Sequence, residues 1–104
     1  MGTSPLRVLQ VFDGATGRYL ATFGSFGSGP DQLYGPVGIA VDSMGFVAVA
    51  ERGNKRVQLF TPSWKSFHIL ESHDDPFERL YHIAITKRKE IVVCDCSKDV
   101  VQMF

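Results

Sequence analysis

Three groups of residues in this 104-residue chain are of the types that do chemistry. Gly24, Gly27 and Gly29 form a Gly-x-x-Gly-x-Gly run, the kind of glycine spacing whose backbone N–H groups hold phosphate where a helix begins. Pro30 and Pro36 follow instead of a helix-forming segment, so the run is expected to be a connector between strands. His68, His73, Asp74, Asp75 and His82, or Cys94-Asp95-Cys96, could be imagined as metal ligands. Zinc sites draw on paired ligands such as C-x₂-C with a second pair, and no such set is present. A Gly-x-Ser-x-Gly elbow is absent, and the serines and histidines share no spacing that would bring them together. The expectation is a non-catalytic chain without cofactor or metal.

The elements that would carry any site are written twice. Residues 34–60, YGPVGIAVDSMGFVAVAERGNKRVQLF, recur without a gap 44 positions later as residues 78–104. Ile39 aligns with Ile83, Ala40 with Ala84, Val49 with Val93, Val57 with Val101, Gln58 with Gln102 and Phe60 with Phe104. Val41/Ile85, Val47/Ile91, Glu51/Asp95 and Leu59/Met103 are conservative pairs. A period of this length holding several short apolar runs indicates propeller blades or a similar array.

Each copy predicts strands over 37–42, 46–50 and 56–61, with turns at Asp42-Ser43-Met44-Gly45 and Gly53-Asn54. A fourth follows over Trp64 to Leu70, after Pro62 and Ser63. Upstream, Leu9-Gln10-Val11-Phe12 aligns best with Val57-Gln58-Leu59-Phe60, the register that keeps the apolar alternation. Residues 18–23 then take the fourth-strand place, and 24–33 lead into the full repeat. Residues 1–29 are thus expected to be the second half of a blade plus connector, 30–72 a complete blade, and 73–104 a blade lacking its last strand. Equivalent residues such as Ile39 and Ile83 are expected in like surroundings.

Composition sets outer limits. A formal charge of zero and 21% charged residues indicate one soluble globular unit and lower the odds of a dominant polyanion partner. Residues 1–5 lack an apolar segment of the signal-peptide kind, and no apolar run approaches the roughly 20 residues that cross a bilayer. Two cysteines, Cys94 and Cys96, make no disulfide framework; reduced thiols and a cytoplasmic location are expected. Cys94 aligns with Ala50 and is read as a small core residue.

This order of residues resembles the NHL-repeat family. The resemblance is carried by Phe23-Gly24-Ser25, residues 27–33 (GSGPDQL), 36–42 (PVGIAVD), Val49-Ala50-Glu51 and 53–60 (GNKRVQLF). The second copy departs from the pattern: His82 stands for the strand glycine, Thr86 for the aspartate, and Cys96-Ser97-Lys98 for the Arg-Gly-Asn turn. The resemblance implies an all-β, partial β-propeller of about two and a half four-stranded antiparallel blades, from a six-bladed ring. An open arc leaves an apolar face exposed at each end, so the chain is expected to be part of a longer protein or to self-associate.

In the tripartite-motif relatives such a propeller selects substrates for an E3 ubiquitin ligase whose RING lies upstream, a domain this chain's cysteines cannot supply. By resemblance the binding face is built from residues 28–35, 51–56, 71–80 and 95–99. Tyr34, Arg52, Lys55, Arg56, Arg79 and Lys98 are the candidate partner-contacting residues. That face carries five basic against eight acidic residues, which favours a protein partner over RNA, since RNA affinity rests on phosphate neutralisation. RNA binding by a whole propeller, or a structural fragment without activity of its own, are the alternatives. Lys87-Arg88-Lys89 falls on the opposite rim and is read as a solvated hairpin tip.

Overall fold

The computed structural model describes residues 8–71 and 77–95 and the backbone of 100–103. Among these residues there is no helix. The strands are β1 (Leu9–Phe12), β2 (Tyr19–Phe23), β3 (Pro36–Val41), β4 (Val47–Glu51), β5 (Arg56–Phe60), β6 (Ser66–Leu70), β7 (Leu80–Ile85), β8 (Ile91–Asp95) and β9 (Val100–Met103). They form three sheets in simple sequential order: β1-β2, β3-β4-β5-β6 and β7-β8-β9. All pairings are antiparallel. The architecture is that of partial propeller blades.

The repeat is reproduced down to its irregularities. Ile39 faces Val49 as Ile83 faces Val93, and the ladder slips between Pro36 and Gly38 just as it does between Leu80 and His82. The outer strands behave likewise: a bulge between Val11 and Phe12 matches one between Leu59 and Phe60. That coincidence fixes Leu9 as the equivalent of Val57, and Gln10 of Gln58. A bulge adds a residue without breaking the sheet and increases its local twist.

Turn chemistry converges from different residues. Asp42 Oδ1 accepts from the N–H groups of Met44 (2.8 Å) and Phe46 (2.9 Å), while Thr86 Oγ1 accepts from Arg88 and Glu90 at 3.2 and 3.1 Å. Aspartate and threonine oxygens both cap a tight turn in this way. Lys89, expected as part of a solvated tip, reaches back instead: its Nζ lies 2.9 Å from Asp42 Oδ2 and ties the second hairpin to the first. The fourth strand of the central sheet also starts later than expected, at Ser66. Trp64 has a left-handed backbone (φ 67°), and its ring stacks on Phe23 at 4.3 Å, joining this turn to the β1-β2 sheet.

The central sheet has one face of small residues and one of bulky ones. Ala48, Ala50 and Val57 of the central sheet meet Ile83, Ile91 and Val93 of the third, with Phe77 and Leu80 closing the cluster. The opposite face of the central sheet, Val47, Val49 and Phe60, packs with Leu33, Leu9 and Trp64. Gly38 permits the close approach: a Cβ there would lie 3.2 Å from Ile83 Cγ2.

One expectation is corrected. Ile39 and Ile83 share register but not burial, being 48% and 2% exposed. Ile83 is covered by β3 and β4 of the central sheet, whereas among the described residues no inner strand pair lies over the face of β3 that carries Ile39. The alternating half-exposure of β3 has this same cause.

Gly38→Val should overpack this seam and lower unfolding stability by about 1 to 3 kcal/mol in urea titrations. The Asp42 carboxyl is held below its usual value of 3.8, first by its hydrogen bond from Lys89 and then by the turn N–H groups. A depressed native pKa means that the stabilisation is present above 3.8 and is lost as pH falls through the native value. Asp42→Asn keeps the turn acceptor and removes the charge. Its deficit against wild type should therefore hold level from neutral pH to about pH 5 and close only in stronger acid.

Candidate functional site

The glycine-rich connector folds onto one face of the central sheet, and a buried carboxylate organises it. Glu51, at the end of β4, has no exposed surface. Its Oε2 accepts from Arg56 Nε (2.8 Å) and Gln58 Nε2 (3.0 Å), and its Oε1 from Asn54 Nδ2 (2.7 Å), the Tyr34 N–H (3.2 Å) and Arg56 Nη2 (3.3 Å). Strand alternation puts Glu51, Arg56 and Gln58 on one side of the sheet, so the hub is a consequence of register.

Arg56 spends its remaining donors on the connector. Nη1 donates to the Ser28 carbonyl, and Nη2 to those of Gly29 and Gln32, each at 3.0 Å. Gln58 donates to the Gln32 carbonyl (3.0 Å) and accepts from the Asp31 N–H (2.8 Å), while Asn54 also donates to the Gly27 carbonyl (2.9 Å). The glycine run therefore turns carbonyl oxygens inward, toward a cation. A phosphate cradle needs the reverse polarity. Gly27 and Gly29 serve compactness: Gln32 folds back so closely that a Cβ at Gly27 would overlap its amide at 2.3 Å.

Arg56 is 4% exposed, which removes it from the candidate partner-contacting residues and makes it the cation that fixes the connector. The other candidates divide. Tyr34, Arg52 and Lys55 are exposed and adjacent: the Arg52 and Gly53 N–H groups bond to the Gly35 and Tyr34 carbonyls at 2.8 and 3.0 Å. The Tyr34 ring lies over Gly53, where a Cβ would meet it at 2.5 Å. This explains the glycine, because the β4–β5 turn is a four-residue loop whose left-handed position is Lys55 (φ 54°), not Gly53. Arg79 is exposed on the same rim, just before β7. Lys98 lies outside the described residues.

Phe26 was not singled out in the sequence. It is exposed and packs edge-to-face on Tyr34 with ring centroids 5.0 Å apart. An aromatic within a glycine-rich run was the available signal. The second blade repeats the carboxylate device in shorter form: buried Asp95 accepts from the Glu78 and Arg79 N–H groups at 2.9 and 3.1 Å. Glu78 aligns with Tyr34, so the same backbone bond recurs.

These placements change the electrostatics of the rim. Glu51 and Asp95 are buried, so neither contributes to an outer acidic face. Among the described residues the exposed loop charges are Arg52, Lys55 and Arg79 against Asp31, Glu71 and Glu78, an even balance. Of the residues considered as metal ligands, His68 and His82 are exposed on β6 and β7 and Cys94 lies on β8. His73, Asp74, Asp75 and Cys96 fall outside the described residues. At the opposite rim a recess of about 160 Å³ between the blades is lined by Phe46, Leu59, Phe67 and Ile85, beside the Asp42–Lys89 pair.

Residues 33–60, which hold the carboxylate hub and both of its flanking turns, match the family model described as NHL repeat. The chain carries an NHL repeat. Its sequence is 49% identical over 47 residues to the E3 ubiquitin-protein ligase TRIM71 of Mus musculus, a match covering 45% of this chain and 5% of the ligase. It is 54% identical over 41 residues to Protein lin-41 of Caenorhabditis elegans, covering 39% of this chain and 4% of that protein. The TRIM71 of Gallus gallus is 40% identical over 47 residues. The matched stretch is thus a small part of the length of these relatives. The hub side chains Glu51, Asn54, Arg56 and Gln58 all lie within the matched residues.

Removing one partner of a buried ion pair leaves the other uncompensated. Arg56→Ala should cost about 3 to 5 kcal/mol in unfolding free energy, whereas Lys55→Ala, on the same loop but exposed, should stay within about 0.5 kcal/mol.

Proposed function

We propose that this chain is a non-catalytic protein-binding module of NHL type. It would contact its partner through Phe26, Tyr34, Arg52, Lys55 and Arg79, in the substrate-recognition part of a pathway containing a ubiquitin ligase. The observation that carries this reading is the exposed Phe26–Tyr34 pair, flanked by Arg52 and Lys55 and seated on backbone that the Glu51 hub holds in place. Aromatic and arginine side chains on a rigid base are the groups that dominate protein interfaces. The similarity to proteins named E3 ubiquitin-protein ligases supports the pathway. Ligase chemistry itself would reside in a RING domain, not in these blades.

RNA is the second reading, favoured by one observation: the exposed loop charges balance among the described residues instead of forming an acidic face. Stacking aromatics beside cations also suit unpaired bases.

The test uses a partner captured by the folded chain and then purified. Tyr34→Ala combined with Lys55→Glu should weaken binding at least about tenfold, the loss of some 1.4 kcal/mol, with the unfolding midpoint unchanged. Unaltered affinity would move the contact surface elsewhere. Titration of a labelled single-stranded RNA across a salt series separates the second reading, which requires an affinity falling steeply with salt.

A further inference from the structure

We infer that the rim built on Phe26, Tyr34, Arg52 and Lys55, taken as the contact surface proposed above, recognises a short acidic peptide: an extended segment with one apolar anchor and carboxylates at alternate positions beside it. Arg52 and Lys55 are exposed and stand at the two ends of one turn, in which the Lys55 N–H donates to the Arg52 carbonyl at 3.4 Å. Neither side chain has an acidic partner among the described residues, whose ion pairs are Arg56–Glu51 and Lys89–Asp42. The carboxylate nearest in sequence cannot serve. Glu51 is buried, and its oxygens are taken by Tyr34, Asn54, Arg56 and Gln58. Two cations to which their own blade gives no counter-charge are left to a partner, where opposite charge sets specificity and encounter rate more than affinity.

The turn also sets the spacing. Cα atoms at the ends of a four-residue turn lie within about 7 Å, and side chains on one face of an extended chain recur at nearly that interval, about 6.8 Å. Carboxylates two residues apart therefore meet Arg52 and Lys55 together. The anchor is set by the neighbouring rings. Phe26 and Tyr34, both exposed, meet edge to face at 71° with centroids 5.0 Å apart, so they form two walls of a corner. The Gly53 N–H, bonded to the Tyr34 carbonyl, ties that corner to the cationic turn. A proline or branched aliphatic side chain fills such a corner and needs no polar partner, the mode used by aromatic-lined peptide grooves. Charge elsewhere limits the length of the acidic stretch. Asp31 and Glu71 border the outer strand β6, and Glu78 stands at the start of the next blade, all of them exposed. A long polyanion leaving the turn runs against these carboxylates, whereas a few acidic residues beside one anchor do not.

A phage-displayed library of random peptides about twelve residues long, selected on the full chain, tests this without naming the partner in advance. Selected sequences should carry Asp or Glu at alternate positions beside a Pro, Leu, Ile or Val. Made as labelled peptides, they should lose affinity about twofold to fivefold for each Glu→Gln change, the size expected of exposed ion pairs. Arg52→Glu with Lys55→Glu should reject them and accept counterparts bearing lysine for glutamate, and Tyr34→Ala should weaken the parent peptides at least about tenfold, all with unfolding midpoints unchanged. Selected peptides without acidic bias that still depend on Tyr34 would overturn the inference and leave the contact surface standing. Peptides indifferent to both Tyr34→Ala and the charge reversal would overturn both. A selection that yields no binder, or a mixed-sequence single-stranded RNA that displaces the peptides at lower concentration than they displace one another, would overturn the inference.

Discussion

A carboxylate with no access to water holds this blade together. Glu51 is tolerable in the interior only because a guanidinium, two side-chain amides and a backbone N–H satisfy its oxygens. A buried charge without such partners would be expelled or neutralised. The same requirement orders the connector, because Arg56, once drawn in to balance Glu51, must place its other donors and finds the carbonyls of Ser28, Gly29 and Gln32. Charge balance, the path of the loop and the presentation of Tyr34 are consequences of one group. Asp95 repeats the bond to the preceding backbone with one methylene less.

Between blades the constraint is volume. Alanines and a glycine on one sheet receive isoleucines and valine from the next, and the sheets can approach only where a side chain is missing. The asymmetry gives the stack a direction. It also explains why β4 is buried along its whole length while β3 is half-buried on alternate residues and exposed on the others: β4 has a neighbour on both sides, and β3 on one. The Asp42–Lys89 pair adds a polar tie at the far rim, where exposure and salt weaken it.

The strand plan was legible in the sequence because apolar alternation and the 44-residue shift are backbone-level signals. The register chosen for Leu9 to Phe12, on alternation alone, is the one in which the two bulges coincide. What escaped was the side of the sheet on which charges lie. Arg56 and Glu51 read as residues of the exposed rim because charged side chains are seldom buried. Their mutual distance of 2.8 Å depends on two strands meeting in register, which no local pattern displays. Trp64 escaped for a related reason: its β-favouring side chain sits in a left-handed turn because Phe23, forty-one positions away in sequence, offers a surface to stack on. Phe26 was overlooked because glycine-rich segments read as featureless.

The connector is gripped almost wholly by its main-chain oxygens. Replacing Ser28 changes what the outer rim displays but leaves the carbonyl that Arg56 holds. Such a loop can diversify its surface chemistry while the scaffold beneath keeps its shape, so new binding preferences can arise at this rim at small thermodynamic risk to the blade.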